Sequence, residues 1–274
     1  MVGLALSVGL RLSAGLRGGM DMDLGLRGKT AIVTGGTRGI GRAITDLLVE
    51  EGCDVAVCAR TPDQVSDAVA TFQSRGVKAF GEALDVADAD TLAAFVDRMA
   101  GALGGLDIFV SNISGAMLAG NDPAGWRQAV EVDILSTVRG CETAVPHLES
   151  GGGGAIVIIG TVSAVEVSGP RRPYSAVKAA LLPYVKNLAR DLAPKNVRAN
   201  LVSPGSIYFK GGVWNMIESA VPAMYAATLE RNPMGRMGRP EEVADATVFL
   251  ASPRASFITG ANLICDGAIT QRVG

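Results

Sequence analysis

A tyrosine and a lysine stand four residues apart in YSAVK, at Tyr174 and Lys178. On a helix this spacing places both side chains on one face, within reach of the same ligand. A free tyrosine has a pKa of about 10 and is mostly a donor at neutral pH, but a nearby ammonium group favours its phenolate form. The pair can therefore give a proton to a ligand or accept one from it. The alternative for an isolated pair is a surface tyrosine beside a solvated lysine.

A second stretch, TGGTRGIG at residues 34–41, has four glycines in eight residues and follows an apolar run. Glycine lets the backbone approach a ligand closely, and the start of a following helix presents unpaired N–H groups and a partial positive charge to an anion. The stretch indicates either a phosphate-binding turn or a plain connection between a strand and a helix.

The elements that must position these residues follow from hydrophobic periodicity. Short apolar runs alternate with longer segments of helical period, a pattern typical of repeated βα units and a parallel sheet. Strands are predicted over residues 30–33, 54–58, 79–83, 107–111, 155–159, 198–202 and 262–265. Helices are predicted over residues 39–51, 62–75, 89–103, 123–148, 174–192 and 240–251. The predicted fold class is α/β, a single-domain, doubly wound, Rossmann-type parallel sheet of about seven strands with helices on both faces.

Ligands of such sheets bind outside the carboxyl ends of the strands. The residues that directly follow predicted strands therefore carry the most information about a ligand. They are TGGTRGIG, Ala59 and Arg60, Asp85 and Val86, Asn112, residues 161–163, and Pro204 and Gly205. Because these polar and glycine-rich positions share one edge of the sheet, they favour the phosphate-binding interpretation of TGGTRGIG.

The totals argue against several other classes of protein. The chain has 274 residues, enough to bury a substantial core, and its 25 Lys and Arg against 27 Asp and Glu include no basic run, which argues against nucleic acid as a partner. The four cysteines are scattered without a CxxC, and His147 is the only histidine. We therefore expect no metal site and no triad built on His147, and a reducing cytoplasm as the compartment.

Residues 1–19 are apolar but have no basic residue before the apolar run, which is too short to span a bilayer. We expect a disordered N-terminal extension, with Met20 or Met22 as the true start, and a single domain over residues 20–274. A segment lying on a membrane surface is the alternative, and no stable membrane insertion is expected.

Together these residues resemble the short-chain dehydrogenase/reductase family, from about Leu26 to Ala268. TGGTRGIG is similar to the family's TGxxxGxG cofactor loop, SNISG at residues 111–115 to its NNAG segment, and YSAVK to its YxxxK motif; SPG and CDG resemble landmarks nearer the C-terminus. The resemblance implies that a nicotinamide cofactor gives hydride to a carbonyl carbon while Tyr174 gives a proton to the oxygen. Lys178 would bind the nicotinamide ribose and lower the pKa of Tyr174.

Two positions depart from the family pattern. The family usually has a serine about thirteen residues before the tyrosine, where it binds the substrate carbonyl; here Thr161 occupies that place and Ser163 follows two residues later, so both are candidates. In VEVDILST the family usually has an asparagine that supports a water linked to the lysine, but this chain has Asp133. Asp133 is expected to accept from water or to pair with Lys178, and its charge would alter the electrostatics of both catalytic residues. The alternative is that the Asp133 carboxylate accepts hydrogen bonds from nearby backbone groups and has no role in the site.

The residue after the second strand favours NADP(H) over NAD(H). A base at that position meets a ribose 2′-phosphate, whereas an acid accepts from a 2′-hydroxyl. Arg60 stands there and Arg38 lies in the glycine loop, although both could be solvated or paired with neighbours such as Asp63. The residues implied for cofactor binding are Gly35, Thr37, Arg38, Gly39, Ile40, Gly41, Arg60, Asp85, Val86, Asn112, Tyr174, Lys178, Pro204, Gly205 and Ile207. Among them, Asp85 and Val86 would flank the adenine, Asn112 the adjoining ribose, and Ile207 the carboxamide.

The segment after the sixth strand, about residues 206–233, is expected to be a substrate lid. Its aromatic and aliphatic residues favour an apolar or bulky small-molecule substrate, a ketone or 3-oxoacyl group or the matching secondary alcohol. Packing within the lid or an oligomer contact would explain the same residues, and the family resemblance implies a homotetramer or homodimer. The competing function is a non-catalytic NADP(H)-binding sensor or scaffold, motivated by Thr161 and Asp133.

Overall fold

A computed structural model describes residues 23–115, 119–167 and 172–272, and the expected N-terminal extension lies outside these ranges. Within them, seven strands form one sheet of order β3-β2-β1-β4-β5-β6-β7, and every neighbouring pair is parallel. The strands are β1 Thr30–Thr34, β2 Asp54–Ala59, β3 Ala79–Ala83, β4 Ile108–Ser111, β5 Gly154–Ile159, β6 Val197–Pro204 and β7 Asn262–Cys265. The predicted fold class is confirmed.

Helices cover both faces of the sheet. They are α1 Gly39–Glu50, α2 Pro62–Gln73, α3 Ala89–Leu103, α4 Pro123–Ala129, α5 Ser136–Ser150, α6 Pro173–Leu192, α7 Val213–Ala220, α8 Pro222–Arg231 and α9 Pro240–Ala251. Successive residues of a strand face opposite sides of the sheet. In β1, Ile32 packs with residues of α3, α5 and α6 on one side. Ala31 and Val33 pack with residues of α1, α2 and α9 on the other side. Since both faces are covered, the central strands β1, β4 and β5 are largely apolar. None of the helices in the described ranges is long and apolar enough to cross a membrane.

The strand order reverses between β1 and β4, because the chain builds outward from β1 through β2 and β3 and then returns to the other side of β1. A crevice opens at such a reversal, outside the carboxyl ends of the strands. The segment 34–41 and Asn112 follow β1 and β4 and therefore lie at this crevice.

Two elements differ from the sequence prediction. The single helix predicted over residues 123–148 is divided by a π-helix, Val130–Leu135, which contains the buried Asp133. The insert after β6 folds into α7 and α8, for which no helix was predicted. No residue of these two helices is fully buried, and they are only 8 and 10 residues long, which is short for recognising a helical period in sequence.

Candidate active site

The glycine loop between β1 and α1 has a backbone that other residues could not adopt without strain. Gly35 and Gly39 have φ angles of 64° and 54°, in the left-handed region that favours glycine. A Cβ on Gly35 would lie 3.0 Å from the side-chain nitrogen of Asn112, and one on Gly41 would overlap the Gly35 carbonyl. The loop is therefore packed tightly against the end of β4.

Asn112 links this loop to β4. Its backbone N–H donates to Thr34 Oγ1 at 2.9 Å, and its side-chain amide donates to the Gly35 carbonyl at 3.2 Å. The side chain of Asn112 therefore supports the turn of the glycine loop, and its place beside a ribose stays a prediction.

The start of α1 fits an anionic group. Arg38 occupies the N-cap position without a side-chain cap bond, and the first turn has no acidic residue. The first N–H groups of a helix and its dipole favour a phosphate at this position. Arg38 and Arg60 are both exposed, and neither forms an ion pair with a carboxylate in the described ranges. The residues present therefore fit a phosphorylated dinucleotide.

Lys178 and Asp133 form a buried ion pair behind the site. Lys178 Nζ lies 3.1 Å from Asp133 Oδ1, and the two side chains are 1% and 0% exposed. The same ammonium donates to the carbonyls of Ile113 at 2.6 Å and Ile159 at 3.3 Å. Asp133 Oδ2 accepts from the N–H of Gly115 at 3.0 Å. Burial lowers the pKa of Lys178, and the charge of Asp133 opposes that shift.

The polar side chains of Thr161 and Ser114 lie on the phenol side of Tyr174 and influence its ionisation. Burial raises the pKa of Tyr174, the hydroxyls of Thr161 and Ser114 lower it, and the negative charge of Asp133 raises it, with a net rise. This direction is the reverse of the lowering expected from Lys178. The reason is that burial disfavours the phenolate and that the negative charge of Asp133 disfavours it further.

Thr161 and Ser163 occupy different positions. Thr161 is 6% exposed and lies directly after β5, where its side-chain oxygen accepts from the N–H of Ser163 at 3.2 Å. Ser163 lies within a short 3₁₀-helix, Val162–Ala164, which starts at that bond. Of the two, Thr161 is the residue that influences the pKa of Tyr174.

The other predicted cofactor residues line the same edge. The Val86 carbonyl accepts from Ser136 Oγ at 2.7 Å, and Asp85, next to it, is exposed. The N–H of Gly205, after Pro204, donates to Cys265 at 2.9 Å, and Ile207 bridges to Gly238. Thr37 and Ile40 are half-buried in the glycine loop.

Sequence reasoning missed three contributors to the site. Ser114 lowers the pKa of Tyr174, and its only sequence signal is a hydroxyl within SNISG, after a predicted strand. The carbonyls of Ile113 and Ile159 bind Lys178 through the backbone, for which no side chain gives a signal.

Comparisons with known proteins agree with this geometry over most of the chain. The family model described as enoyl-(acyl carrier protein) reductase matches residues 35–270. Isoepoxydon dehydrogenase of Penicillium expansum is 34% identical over 254 residues, which cover 91% of this chain and 98% of that protein.

Two solved structures share the fold. L-sorbose reductase from Gluconobacter frateurii, complexed with NADPH and L-sorbose, has a TM-score of 0.84 at 29% identity, over 92% of this chain and 100% of that chain. A 7α-hydroxysteroid dehydrogenase, complexed with NADH and 7-oxo glycochenodeoxycholic acid, has a TM-score of 0.82 at 31% identity, over 92% of this chain and 98% of that chain. The two neighbours therefore carry different nicotinamide cofactors and unlike substrates.

Proposed function

This chain belongs to the short-chain dehydrogenase/reductase family and is a nicotinamide-dependent oxidoreductase; on that premise we propose that it uses NADP(H) to interconvert a ketone or 3-oxoacyl group and a secondary alcohol on an apolar or bulky substrate. The observation that carries the proposal is the position of Tyr174 on α6, one helical turn before the buried Lys178 and beside the hydroxyls of Thr161 and Ser114, at the edge where such a sheet binds ligands.

Tyr174 is the residue that we assign to proton transfer. When bound, the nicotinamide supplies the hydride. Because burial raises the pKa of Tyr174, its hydroxyl keeps its proton at neutral pH and can give it to a carbonyl oxygen. In this proposal Thr161 offers a second donor to that oxygen, and Ser114, like Thr161, lowers the pKa of Tyr174. Reduction therefore needs the protonated tyrosine, and oxidation of an alcohol needs its phenolate.

Lys178 positions the nicotinamide ribose in this proposal. An ammonium group has three N–H donors, and Asp133, Ile113 and Ile159 accept from all three directions in the present structure. The contact with Ile159 is the longest of the three, so it is the one that we expect a ribose hydroxyl to replace. Asp133 keeps the lysine charged within a buried site.

The preference for NADP(H) rests on Arg38 and Arg60. Both are exposed and free of carboxylate partners in the described ranges, so both are available to a 2′-phosphate. An adenosine 2′-hydroxyl would need an acceptor, and the residue after β2 is a base.

The insert supports an apolar or bulky substrate. Met216 on α7, Val221 at the junction between the two helices and Met224 on α8 are each nearly half exposed. Such side chains adapt to irregular apolar surfaces. We therefore propose residues 206–233 as the substrate lid of a single domain spanning residues 20–274, and a homodimer or homotetramer as the assembly.

A substrate screen tests the proposed function. Purified protein is mixed with NADPH or NADP⁺ and with panels of cyclic ketones, 3-oxoacyl thioesters and hydrophobic secondary alcohols, and the absorbance of the reduced cofactor is followed. We expect turnover on the bulky members and a smaller kcat/KM with NADH. Tight NADPH binding without turnover on any panel would favour the sensor or scaffold instead.

A further inference from the structure

The ring of Phe209 lies on the glycine loop. A Cβ on Gly39 would lie 2.6 Å from Phe209 Cζ, and a Cβ on Gly212 would lie 2.9 Å from the same atom. Both distances are shorter than a carbon–carbon contact allows. Only glycines at these two positions leave room for the ring, so Gly39 and Gly212 form a socket around Phe209.

The ring lies against Gly39, in the turn where a dinucleotide would approach the backbone closely. Gly39 is the first residue of α1, and the N-terminus of α1 has no side-chain cap. A pyrophosphate bound there would contact the N–H groups of this turn and the glycine backbone. An aromatic ring offers these N–H groups no acceptor of comparable strength, and it excludes a phosphate from the same volume. The ring and the pyrophosphate therefore compete.

The segment that carries Phe209 is pinned on one side and linked to a helix on the other. On the near side, Tyr208 N–H donates to the Gly238 carbonyl at 2.8 Å, and Gly238 N–H donates to the Ser206 carbonyl at 2.9 Å. On the far side, Gly211 N–H donates to the Asn215 side chain of α7 at 3.0 Å. Phe209 thus directly follows Tyr208, which is held by Gly238. Because Gly211 is bonded to Asn215, a change in the backbone at residues 209–211 would shift α7.

We propose that Phe209 closes the phosphate end of the cofactor site, and that the dinucleotide displaces the ring and moves α7 with it. The inference rests on the proposed NADP(H) site. Cofactor binding then prepares the insert for substrate, because the segment that leaves the glycine loop is continuous with the proposed lid. The apparent affinity for NADPH is reduced by the fraction of molecules in which the ring fills its socket.

Two variants remove the ring by different means. Phe209→Ala deletes it, and Gly212→Ala places a methyl group against it while leaving Phe209 in the chain. Gly212 has φ −82° and ψ 173°, which alanine adopts without strain. If the closed state holds about nine tenths of the molecules, both variants should lower the Kd for NADPH about tenfold.

The kinetics of NADPH binding test displacement of the Phe209 ring, which we call the gate, without any substrate turnover. The chain has two tryptophans, Trp126 and Trp214, and Trp214 lies on α7. In a Trp126→Phe background, stopped-flow mixing with NADPH should give a Trp214 fluorescence change whose rate saturates at high cofactor concentration. In both variants that rate should rise linearly with concentration. A Kd that increases in Phe209→Ala would show instead that the ring is a cofactor contact, and an unchanged rate and Kd would overturn the gate.

A fragment ligand separates failure of the gate from failure of the site. Adenosine 2′-monophosphate carries the 2′-phosphate and no pyrophosphate, so its affinity should be the same in wild type and in both variants. If wild type binds neither this fragment nor NADPH, the proposed cofactor site is wrong. If wild type binds both and the variants behave like it, only the gate is wrong.

Discussion

Lys178 Nζ lies 3.1 Å from Asp133 Oδ1, and solvent reaches neither side chain. The carboxylate of Asp133 places a negative charge near Tyr174. The asparagine that the family usually has at this position would be uncharged. The charge of Asp133 adds to burial in raising the pKa of Tyr174, and it partly offsets the effect of burial on Lys178. The pair therefore favours the protonated tyrosine that reduction requires.

The first prediction concerns Asp133→Asn and the pH dependence of alcohol oxidation. Oxidation needs the Tyr174 phenolate, so its rate rises as pH increases through the pKa of Tyr174. Removing the anion lowers that pKa, and the rising limb of kcat/KM should move to lower pH. Asp97→Asn, which changes an exposed carboxylate paired with His147, is the control and should leave the profile in place. A limb that stays fixed or moves to higher pH in Asp133→Asn contradicts the assignment.

The second prediction concerns stability. Lys178→Met removes one partner of a buried pair and leaves Asp133 without its counter-ion, which should cost about 3–5 kcal/mol in the free energy of unfolding measured with urea. Lys195→Met makes the same change at an exposed pair with Glu149 and should cost at most about 1 kcal/mol. Equal losses in the two variants would show that the buried pair adds nothing beyond an ordinary surface contact.

The third prediction concerns cofactor choice. Arg60→Asp should raise the Kd for NADPH about 10- to 100-fold, because it removes a charge-assisted bond worth about 1.5–3 kcal/mol and adds repulsion. NADH, which lacks the 2′-phosphate, is the internal control and should bind with little change. Parallel losses for both cofactors, measured by fluorescence titration, would remove Arg60 from this role.

The fourth prediction concerns the hydroxyl that holds the substrate carbonyl. Thr161→Val keeps the shape of the side chain but removes the donor, and should lower kcat about 10- to 100-fold, on the scale of one lost transition-state hydrogen bond. Ser163→Ala should be mild, because Ser163 meets Thr161 through its backbone N–H. A severe loss in Ser163→Ala together with an active Thr161→Val would reverse the assignment.

A separate expectation applies to Ser114. Ser114→Ala removes one of the two side-chain hydroxyls that lower the pKa of Tyr174, so that pKa should rise. The rising limb for alcohol oxidation should then move to higher pH, opposite to its shift in Asp133→Asn. No shift in the limb would mean that Ser114 contributes nothing to the ionisation of Tyr174.

Much of this architecture could be predicted because it is local in sequence. The strands are continuous apolar runs and the glycine loop follows the first of them, so the sheet and its ligand edge follow from pattern alone. Asp133 was identified as a departure, but whether it binds water or Lys178 depends on how the π-helix packs against α6. The contact between Gly39 and Phe209 joins residues 170 positions apart. Periodicity carries no information about such a contact.

Tyr174→Phe provides the most direct test of the proposed chemistry. The change removes one oxygen atom, and with it the proton that we assign to the carbonyl. Tyr184→Phe makes the same change on the same helix, where the hydroxyl lies 3.4 Å from Glu142 and not at the site. We predict that kcat falls about 10²- to 10⁴-fold in Tyr174→Phe, while NADPH affinity and the activity of Tyr184→Phe are preserved. Full turnover by Tyr174→Phe, with a substrate that wild type reduces, would contradict the account.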